Sequence, residues 1–390
     1  MISSLADRSH YPSLGDHIYL NQASLGLIGQ PAVTTMHTFL DDVARHGNLY
    51  MSDGDEMQYC KTLRDCAARL FRADSTKVAI VGSASEMLGQ LPLLLNLKKG
   101  DTVLAVSSDF PALTRPWLRQ SLLGTVQVHF VDDVGERDLT QTLIDAIDEH
   151  TRVIAVSIVQ YSTGTVIDVA RLAGIAAQAH AFVIVDATQA AGAMTVDTST
   201  LMADAVVSSG YKWLGGHGGV ALAVVSERLC QQVPVLPGWM SAPSPFDFDA
   251  RTVSFASDAS RFTLSTMSYV SVAGLTAAIE ELMALGERKI EAHARALAMM
   301  LIEAVREYGW KPFRDIDCVS GAPHIIALAH DCEPALSTVD RLRKRGVVCS
   351  ARGNRVRISL APYNDSSDVT TVVEALQPKP AMAVVPRTVK

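Results

Sequence analysis

The sequence predicts an α/β protein: a large domain with a mostly parallel central sheet, followed by a smaller C-terminal α+β domain. Three observations lead to this prediction. The chain has 390 residues, which is long enough for a large core and one further domain. Between residues 77 and 225, short apolar runs alternate with helical patterns. These runs are apolar at consecutive positions, as expected for strands that are covered on both faces.

Seven apolar runs are the candidate strands of the large sheet, namely 77–82, 102–107, 126–131, 152–159, 182–186, 205–208 and 220–225. Helical patterns such as 139–149 and 169–180 lie between them. The repeat of strand, helix and strand implies right-handed crossovers. We therefore expect a parallel sheet with helices on both faces.

The composition changes after residue 234. Residues 234–262 contain Pro, Gly, Trp and Phe without a regular period, and we expect a long connection there. Helical runs at 267–284 and 290–307 are followed by short strands at 324–329, 347–350 and 355–360 and a last helix at 365–376. We assign residues 1–30 to an N-terminal segment, 31–255 to the large domain, 256–377 to the small domain and 378–390 to a flexible tail.

Apolar residues make up 48% of the chain and charged residues 19%, which is an ordinary globular balance. The net charge of −7 indicates no basic surface for nucleic acid. No apolar run approaches the roughly 18 residues of a membrane helix, and the first residues do not resemble a leader. The six cysteines form no CxxC pair, which favours reduced thiols and a cytoplasmic protein. The spacing of His324, His330, Asp331 and Cys332 predicts no metal site.

Ligands of an open parallel sheet bind beyond the carboxyl ends of its strands, so we examined the residues that follow each strand. Residues 82–86 (Gly-Ser-Ala-Ser-Glu) follow the first strand and precede an apolar helical run. Small residues at a helix N-terminus expose backbone N–H groups that suit a phosphate, and Ser85 adds a hydroxyl. The alternative is that a serine here only caps the helix.

Asp186 ends a strand with four apolar residues before it. A carboxylate at this position is half-buried, so a positive partner must offset the loss of its hydration. Gln189, three residues later, adds an amide on the same side. The alternative for Asp186 is a cap of the next helix.

Lys212 follows another strand and lies among aromatic and glycine residues (Ser-Gly-Tyr-Lys-Trp). Burial favours the neutral amine that a Schiff base requires. The alternative is a surface lysine whose stem passes the neighbouring rings. Arg357 lies inside a short apolar strand, where its planar guanidinium can bind a carboxylate; the alternative is a structural ion pair.

A phosphate cradle, an acid, a lysine and a carboxylate receptor together predict pyridoxal phosphate as the cofactor. Its phosphate needs an anion site, its aldehyde needs a lysine, and its pyridine nitrogen needs an acid that keeps it protonated. A dinucleotide site is a weaker alternative, because residues 82–86 lack the three-glycine pattern.

At these residues the sequence resembles the class V aminotransferase, or cysteine desulfurase-like, branch of the fold-type I pyridoxal phosphate-dependent enzymes. The resemblance runs from about residue 17 to residue 376, and the motifs around Lys212 and Asp186 are its most specific parts. It implies that Lys212 carries the cofactor, that Asp186 faces the pyridine nitrogen and that Gln189 hydrogen-bonds the ring oxygen.

The resemblance also implies the phosphate contacts. Ala84, Ser85 and Ser209 match the family's phosphate-binding positions, and Tyr211 stands where many members have a phosphate-contacting histidine. Thr266, in the segment 261–266, matches a threonine that reaches the phosphate of the neighbouring subunit. The chain is therefore expected to form a homodimer with active sites at the subunit interface.

Other positions bear on the reaction. Phe110 replaces the histidine that stacks on the ring in desulfurases, and Tyr161 replaces the usual asparagine. The N-terminal segment 1–30, with Gln22 and Ser24, is expected to line the substrate side, and Arg357 matches the arginine that binds the substrate carboxylate.

The resemblance implies an enzyme that acts on an α-amino acid through a Schiff base and a carbanion at Cα. Desulfurases need a mobile cysteine, whereas Cys349 lies in an apolar strand eight residues before Arg357. We therefore favour a β-eliminating C–S lyase acting on a cysteine conjugate. Transamination is the main alternative, decarboxylation and epimerisation are others, and a regulatory protein that retains the cofactor fold is the non-enzyme alternative.

Overall fold

The computed structural model describes residues 1–47, 49, 51–316 and 319–377. The predicted tail, 378–390, and Cys318 lie outside the described residues. The described strands are β1 (Ile18–Tyr19), β2 (Val78–Val81), β3 (Asp101–Val106), β4 (Val126–Val131), β5 (Thr151–Ser157), β6 (Phe182–Asp186), β7 (Ala205–Ser209), β8 (Ala221–Val225), β9 (Lys311–Pro312), β10 (Ile325–Ala329), β11 (Val347–Val348), β12 (Ser350–Arg352) and β13 (Arg355–Ser359).

The described α-helices are α1 (Gln30–His46), α2 (Asp53–Phe71), α3 (Ala84–Leu94), α4 (Pro111–Leu122), α5 (Leu139–Asp145), α6 (Val169–Ala176), α7 (Thr198–Leu201), α8 (Glu227–Cys230), α9 (Tyr269–Leu285), α10 (Glu287–Arg306), α11 (Ala335–Arg343) and α12 (Ser366–Leu376). Many of them begin at a side chain that caps the helix. Asp365, for example, accepts hydrogen bonds from the backbone N–H groups of Ser367 and Asp368 at the start of α12.

The large sheet has seven strands in the order β2-β8-β7-β6-β5-β3-β4. Strands β4, β3, β5, β6 and β7 are parallel, and β8 is antiparallel to both of its neighbours. The predicted mostly parallel α/β sheet is confirmed, and each predicted strand lies within two residues of its observed bounds. The register pairs Asp186 with Ser157 and with Val207, so the carboxyl ends of β5, β6 and β7 meet at one edge.

Apolar packing on both faces of this sheet accounts for its continuous apolar runs. Val183 and Val185 of β6 belong to one buried cluster, whereas Ile184 belongs to another on the opposite face. Because successive strand side chains point to opposite faces, a strand that lies between two helical layers must be apolar at every position.

Helix α9 differs from the sequence prediction, which places it in the small domain. It packs on α1 and α2, and its residues Val272, Leu275 and Ile279 belong to the core of the large sheet. An apolar helix does not reveal from its sequence alone which core it covers. The predicted boundary at residue 256 therefore separates α9 from the core in which it packs.

The C-terminal part has its own sheet and core. Strands β12, β13, β10 and β9 form an antiparallel sheet, and α10, α11 and α12 pack around a separate apolar cluster. Strand β1 pairs with β11 in parallel, which ties the N-terminal segment to this part of the molecule.

No single described helix is long and apolar enough to cross a membrane. Helices α9 and α10 together meet that test by length and composition, but they are bent by 73°. Eight residues of α9 are buried in the protein, as in the core helix of a globular fold.

Candidate active site

A small cavity opens at the carboxyl edge of the large sheet. Nine of the ten residues predicted to contact the cofactor line it. The lining residues are Ala84, Ser85, Phe110, Ala112, Ser157, Tyr161, Asp186, Thr188, Gln189, Ser209, Tyr211 and Lys212. The fold therefore brings together residues that are up to 128 positions apart in the sequence, from Ala84 to Lys212.

Lys212 lies three residues beyond the end of β7 and is 7% exposed. The pKa of its amine is lowered to about 8, mainly by burial; Asp186 opposes this shift, and the positive charges of Arg357 and Arg352 contribute to it. The Nζ atom lies 5.2 Å from the ring centroid of Phe110. A substantial fraction of this amine is therefore neutral near physiological pH, as a nucleophilic lysine requires.

The backbone of Lys212 is held by the N-terminal segment. The side chain of Gln22 donates a 2.9 Å hydrogen bond to the carbonyl of Lys212, and Gly26 donates to the carbonyl of Tyr211. A Cβ atom on Gly26 would lie 2.2 Å from the carbonyl oxygen of Lys212, so only glycine permits this approach. The amide of Gln22 is committed to this structural contact, and the substrate role predicted for Gln22 stays a prediction.

Asp186 ends β6 and is 6% exposed. Burial raises the pKa of its carboxyl group, and hydrogen bonds from Thr188 oppose that shift. Among the described residues, no cationic side chain lies within 4.0 Å of this carboxylate. A buried acid that faces a cavity without a contacting cation is suited to a positively charged ligand atom.

Gln189 lies in a buried hydrogen-bond network that includes Trp213, the residue after Lys212. Its amide nitrogen donates to the carbonyl of Ala23, and its oxygen accepts a 2.8 Å hydrogen bond from the indole of Trp213. His324 contacts the carbonyl of Gln189 at 2.7 Å and packs edge-on against Trp213. Burial lowers the pKa of His324 to about 4, so this histidine is neutral. The network fixes Gln189 at the cavity wall, where its predicted contact with the ring oxygen stays a prediction.

Polar groups line the cavity near the start of α3. Ala84 is the first residue of this helix, and the Ser83 side chain caps it by accepting from the N–H of Glu86. The first backbone N–H groups of a helix have no partner within it, and the hydroxyl groups of Ser85, Ser209 and Tyr211 belong to the same cavity. This combination suits a phosphate.

Two aromatic rings form another wall of the cavity. Phe110 and Tyr161 are in contact, with ring centroids 5.4 Å apart and an interplanar angle of 82°. Phe110 is 38% exposed, so one part of its ring is available to a ligand. The carbonyl of Tyr161 accepts a 2.8 Å hydrogen bond from Arg357, which links this wall to the small sheet.

Arg357 is fully buried in β13, yet no carboxylate of the described residues lies within 4.0 Å of it. Burial lowers the pKa of its guanidinium to about 9, and the charge of Arg352 acts in the same direction. Both arginines donate to the hydroxyl of Ser24, and the Nε of Arg357 has no hydrogen-bond partner. A buried cation without an acid is the expected arrangement for a site that receives an anionic ligand.

Arg352 is a site residue that the sequence pattern did not predict. It lies on β12, where the antiparallel register pairs Ser350 with Arg357 and Arg352 with Arg355, so all four side chains share one face. Two arginines spaced by five residues in a hairpin could have indicated this arrangement. Without the register, however, the two guanidinium groups cannot be placed side by side.

Thr266 does not reach the cavity of its own chain. It is exposed and follows the long connection, and its predicted contact with a partner subunit stays a prediction. In the part of the chain that the structure describes, no group of three His, Cys, Asp or Glu side chains could hold a metal ion.

None of the described cysteines lines the cavity. Cys349 is 8% exposed, and burial raises the pKa of its thiol to about 12. A thiol of this kind is protonated at neutral pH and is a poor nucleophile.

The charges of this cavity fit pyridoxal phosphate. The buried amine of Lys212 suits the aldehyde, the buried Asp186 suits a protonated pyridine nitrogen, and the start of α3 suits the phosphate. Arg357 is not among the residues that line this cavity, and its guanidinium has no acid within 4.0 Å among the described residues, so its predicted contact with a substrate carboxylate stays a prediction.

Comparison with known proteins identifies the family of the chain. The family model "Aminotransferase class-V" matches residues 18–372. An uncharacterized aminotransferase, YcbU, of Bacillus subtilis is 25% identical, covering 95% of this chain and 97% of that protein. A probable cysteine desulfurase of Methanothermobacter thermautotrophicus is 25% identical, covering 95% and 96%.

The fold is also similar to that of solved structures. A complex of the cystine C–S lyase C-DES with its reaction product cysteine persulfide superposes with a TM-score of 0.85 at 18% identity, covering 94% of this chain and all of that chain. The chain belongs to the aminotransferase class-V family and is a pyridoxal phosphate-dependent enzyme.

Proposed function

We propose that the protein is a C–S lyase that cleaves S-substituted cysteines by β-elimination. The observation that carries this proposal is the composition of the cavity wall, which has one amine, one acid and three aromatic rings but no described cysteine. Without a thiol to accept sulfur from the substrate, a C–S bond that breaks in this cavity releases its sulfur to solvent.

Arg357 and Arg352 bind the α-carboxylate of the substrate in this proposal. Both guanidinium groups converge on Ser24, and neither forms an ion pair with a described carboxylate. A carboxylate at this point accepts charge-assisted hydrogen bonds from a planar donor, which orients the amino acid as well as binding it. The Cα atom is thereby turned towards Lys212.

Lys212 moves the proton. Its amine has a pKa near 8, so it can act as a general base that removes the Cα proton of the bound amino acid at Nζ. Bound pyridoxal phosphate supplies the electron sink for the negative charge that develops at Cα. Asp186 would stabilise a protonated pyridine nitrogen of that group, because its buried carboxylate has no contacting cation among the described residues.

The aromatic wall accommodates the sulfur. Thioether sulfur makes favourable contacts with aromatic rings, and Phe110 and Tyr161 present such rings beside Lys212. The electron pair that the lost proton leaves at Cα forms a Cα–Cβ double bond, while the Cβ–S bond breaks with its electron pair going to sulfur. The sulfur leaves as a thiolate and needs no acid from the protein. The net reaction converts an S-substituted cysteine and water into a thiol, pyruvate and ammonia. The likeness to the fold of a cystine C–S lyase supports this reaction.

We also propose that the chain acts as a homodimer, since Thr266 is exposed, does not line the cavity of its own chain and is therefore accessible to a partner subunit. Sedimentation equilibrium should give twice the chain mass of 41.9 kDa. The described cysteines form no disulfide, as in a reducing compartment, and we propose a cytoplasmic location on that ground.

The test is to mix the holoenzyme with S-substituted cysteines and with free amino acids, and to measure thiol, pyruvate and ammonia. β-Elimination yields the three products in equal amounts. Formation of a 2-oxo acid that keeps its side chain, without thiol, would instead identify a transaminase. Release of carbon dioxide or inversion at Cα would likewise contradict the proposal.

A further inference from the structure

Asp109 is a buried carboxylate that lies behind the aromatic wall. It is 6% exposed and lies three residues beyond the end of β3. Its Oδ1 accepts from the N–H of Phe110 at 2.7 Å and from the hydroxyl of Ser157 at 2.5 Å. Its Oδ2 accepts from the N–H of Ser157 at 2.9 Å and from the side chain of Gln160 at 3.1 Å. Both oxygens therefore receive two hydrogen bonds each.

These donors belong to three segments of the cavity wall. Phe110 precedes α4, Ser157 ends β5, and Gln160 is the residue before Tyr161. Phe110, Ser157 and Tyr161 line the cavity, whereas Asp109 does not. Asp109 thus joins segments that contact a ligand without contacting the ligand itself.

Phe110 has little packing of its own to hold it in place, since 38% of the residue is exposed. Its ring nevertheless lies over the Lys212 amine and against Tyr161. The turn at Phe110 must therefore be held by contacts other than those of the ring. The hydrogen bonds that Asp109 accepts from Phe110, Ser157 and Gln160 can hold it.

We propose that Asp109 is a positioning residue that holds the Phe110 ring over the Lys212 amine by joining the Phe110 turn to the end of β5 and to Gln160. This inference rests on the cofactor site and not on the C–S lyase reaction.

The negative charge of Asp109 is essential to this role. Burial raises the pKa of its carboxyl group to about 6, while hydrogen bonds from Ser157, Gln160 and Phe110 oppose the shift, so it is ionised at neutral pH. All four contacts are donors, and an amide at this position would turn its own N–H groups towards two of them. Asp109→Asn therefore disrupts these hydrogen bonds with almost no change in side-chain volume.

Asp204 provides a matched control. It is 8% exposed and accepts from the backbone N–H of Val183 and from the hydroxyl of Ser226, both at 3.0 Å. It precedes β7 at the opposite end of the sheet and does not line the cavity. Asp204→Asn therefore reports the general cost of losing a buried, hydrogen-bonded carboxylate.

The test uses the holoenzyme and measures the dissociation constant of pyridoxal phosphate and the visible circular dichroism of the bound cofactor. Asp109→Asn should raise the dissociation constant about tenfold and reduce the dichroic band. Asp204→Asn should lower the unfolding temperature similarly but leave both cofactor measurements within about twofold of the wild type. Equal cofactor binding in wild type and Asp109→Asn would overturn the proposal.

A double-mutant cycle with Phe110→Ala separates positioning from a general loss of structure. If Asp109 acts through Phe110, Asp109→Asn should change the dissociation constant less than about threefold in the Phe110→Ala background. An undiminished tenfold effect there would also overturn the proposal. Should Asp109→Asn fail to fold, Gln160→Ala removes one of the four donors and should shift both measurements in the same direction by about twofold to fourfold. A wild type that binds no pyridoxal phosphate would instead contradict the cofactor assignment.

Discussion

At the scale of single residues, the active site consists of charges that the protein leaves without a direct counter-charge. Lys212, Asp186 and Arg357 are each less than 9% exposed, and none of them forms an ion pair within 4.0 Å with another described residue. Burying such groups costs stability unless a ligand compensates them. The cost is measurable for the lysine, whereas the role of the arginine is testable through substrate binding.

Substitution of Lys212 by Met should reveal the cost of burying the amine through the pH dependence of the unfolding free energy. The pKa of Lys212 is about 8 in the folded chain and near 10.5 in the unfolded chain, so the unfolded state binds more protons between these values. The stability contributed by this residue therefore rises with pH in that window. The stability advantage of Lys212→Met over the wild type, both free of cofactor, should shrink by roughly 2–3 kcal/mol between pH 7 and pH 10. Urea unfolding at each pH measures it, and a constant difference would contradict the buried position of the amine.

Substitution of Arg357 by Lys should weaken substrate binding, because the ammonium keeps the charge but loses the planar donor pair. We expect KM for α-amino acids to rise about 10- to 100-fold with a smaller change in kcat. Arg355→Lys is the control, since Arg355 lies on the same strand but stacks on Phe313. An unchanged KM for Arg357→Lys would rule out its role as carboxylate receptor.

At the scale of secondary-structure elements, the site is assembled from ends and turns rather than from strand or helix interiors. The carboxyl ends of β5, β6 and β7 meet at one edge, and the hairpin β12–β13 brings its arginines to Ser24 in the N-terminal segment. The close approach of that segment to Lys212 depends on Gly26.

Gly26→Ala should therefore loosen the Lys212 segment. Its added methyl group would lie 2.2 Å from the Lys212 carbonyl, which is too short for any real contact. We expect a loss of about 1–3 kcal/mol in unfolding free energy together with weaker cofactor binding. Gly15→Ala is the matched control, because a Cβ atom at Gly15 meets nothing within 4 Å. Thermal unfolding with and without pyridoxal phosphate distinguishes the two variants. Equal unfolding temperatures of Gly26→Ala and Gly15→Ala would refute the close approach of Gly26 to the Lys212 carbonyl.

At the scale of the whole molecule, a buried ion pair connects the C-terminal part with the large sheet domain. Arg314, just after β9, donates to Asp133, to Thr165 and to three backbone carbonyls beyond β4. The Arg314 and Asp133 side chains are only 6% and 1% exposed. Because all these contacts cross between the small and large parts, they fix how the two parts pack together.

Removing one partner of this pair should be costly. Arg314→Met leaves Asp133 buried without its cation, and we expect a loss of about 3–5 kcal/mol in unfolding free energy. Arg343→Met, which removes an exposed pair with Asp340, should change it by less than about 1 kcal/mol. Urea unfolding measures the unfolding free energy of both variants. Similar effects of the two substitutions would show that the buried ion pair contributes little to the packing of the two parts.

The sequence by itself determined the α/β class, the seven strands of the large sheet and the lysine and acid of the site. A strand between two helical layers must be apolar at consecutive residues, and a polar residue directly after such a strand can lie only at the sheet edge. Only the tertiary structure decided which core α9 covers, that Arg352 joins Arg357, and that Asp109 holds the Phe110 turn. These features depend on strand register and on contacts between distant segments, such as Ser24 with Arg357, which no local pattern of residues encodes.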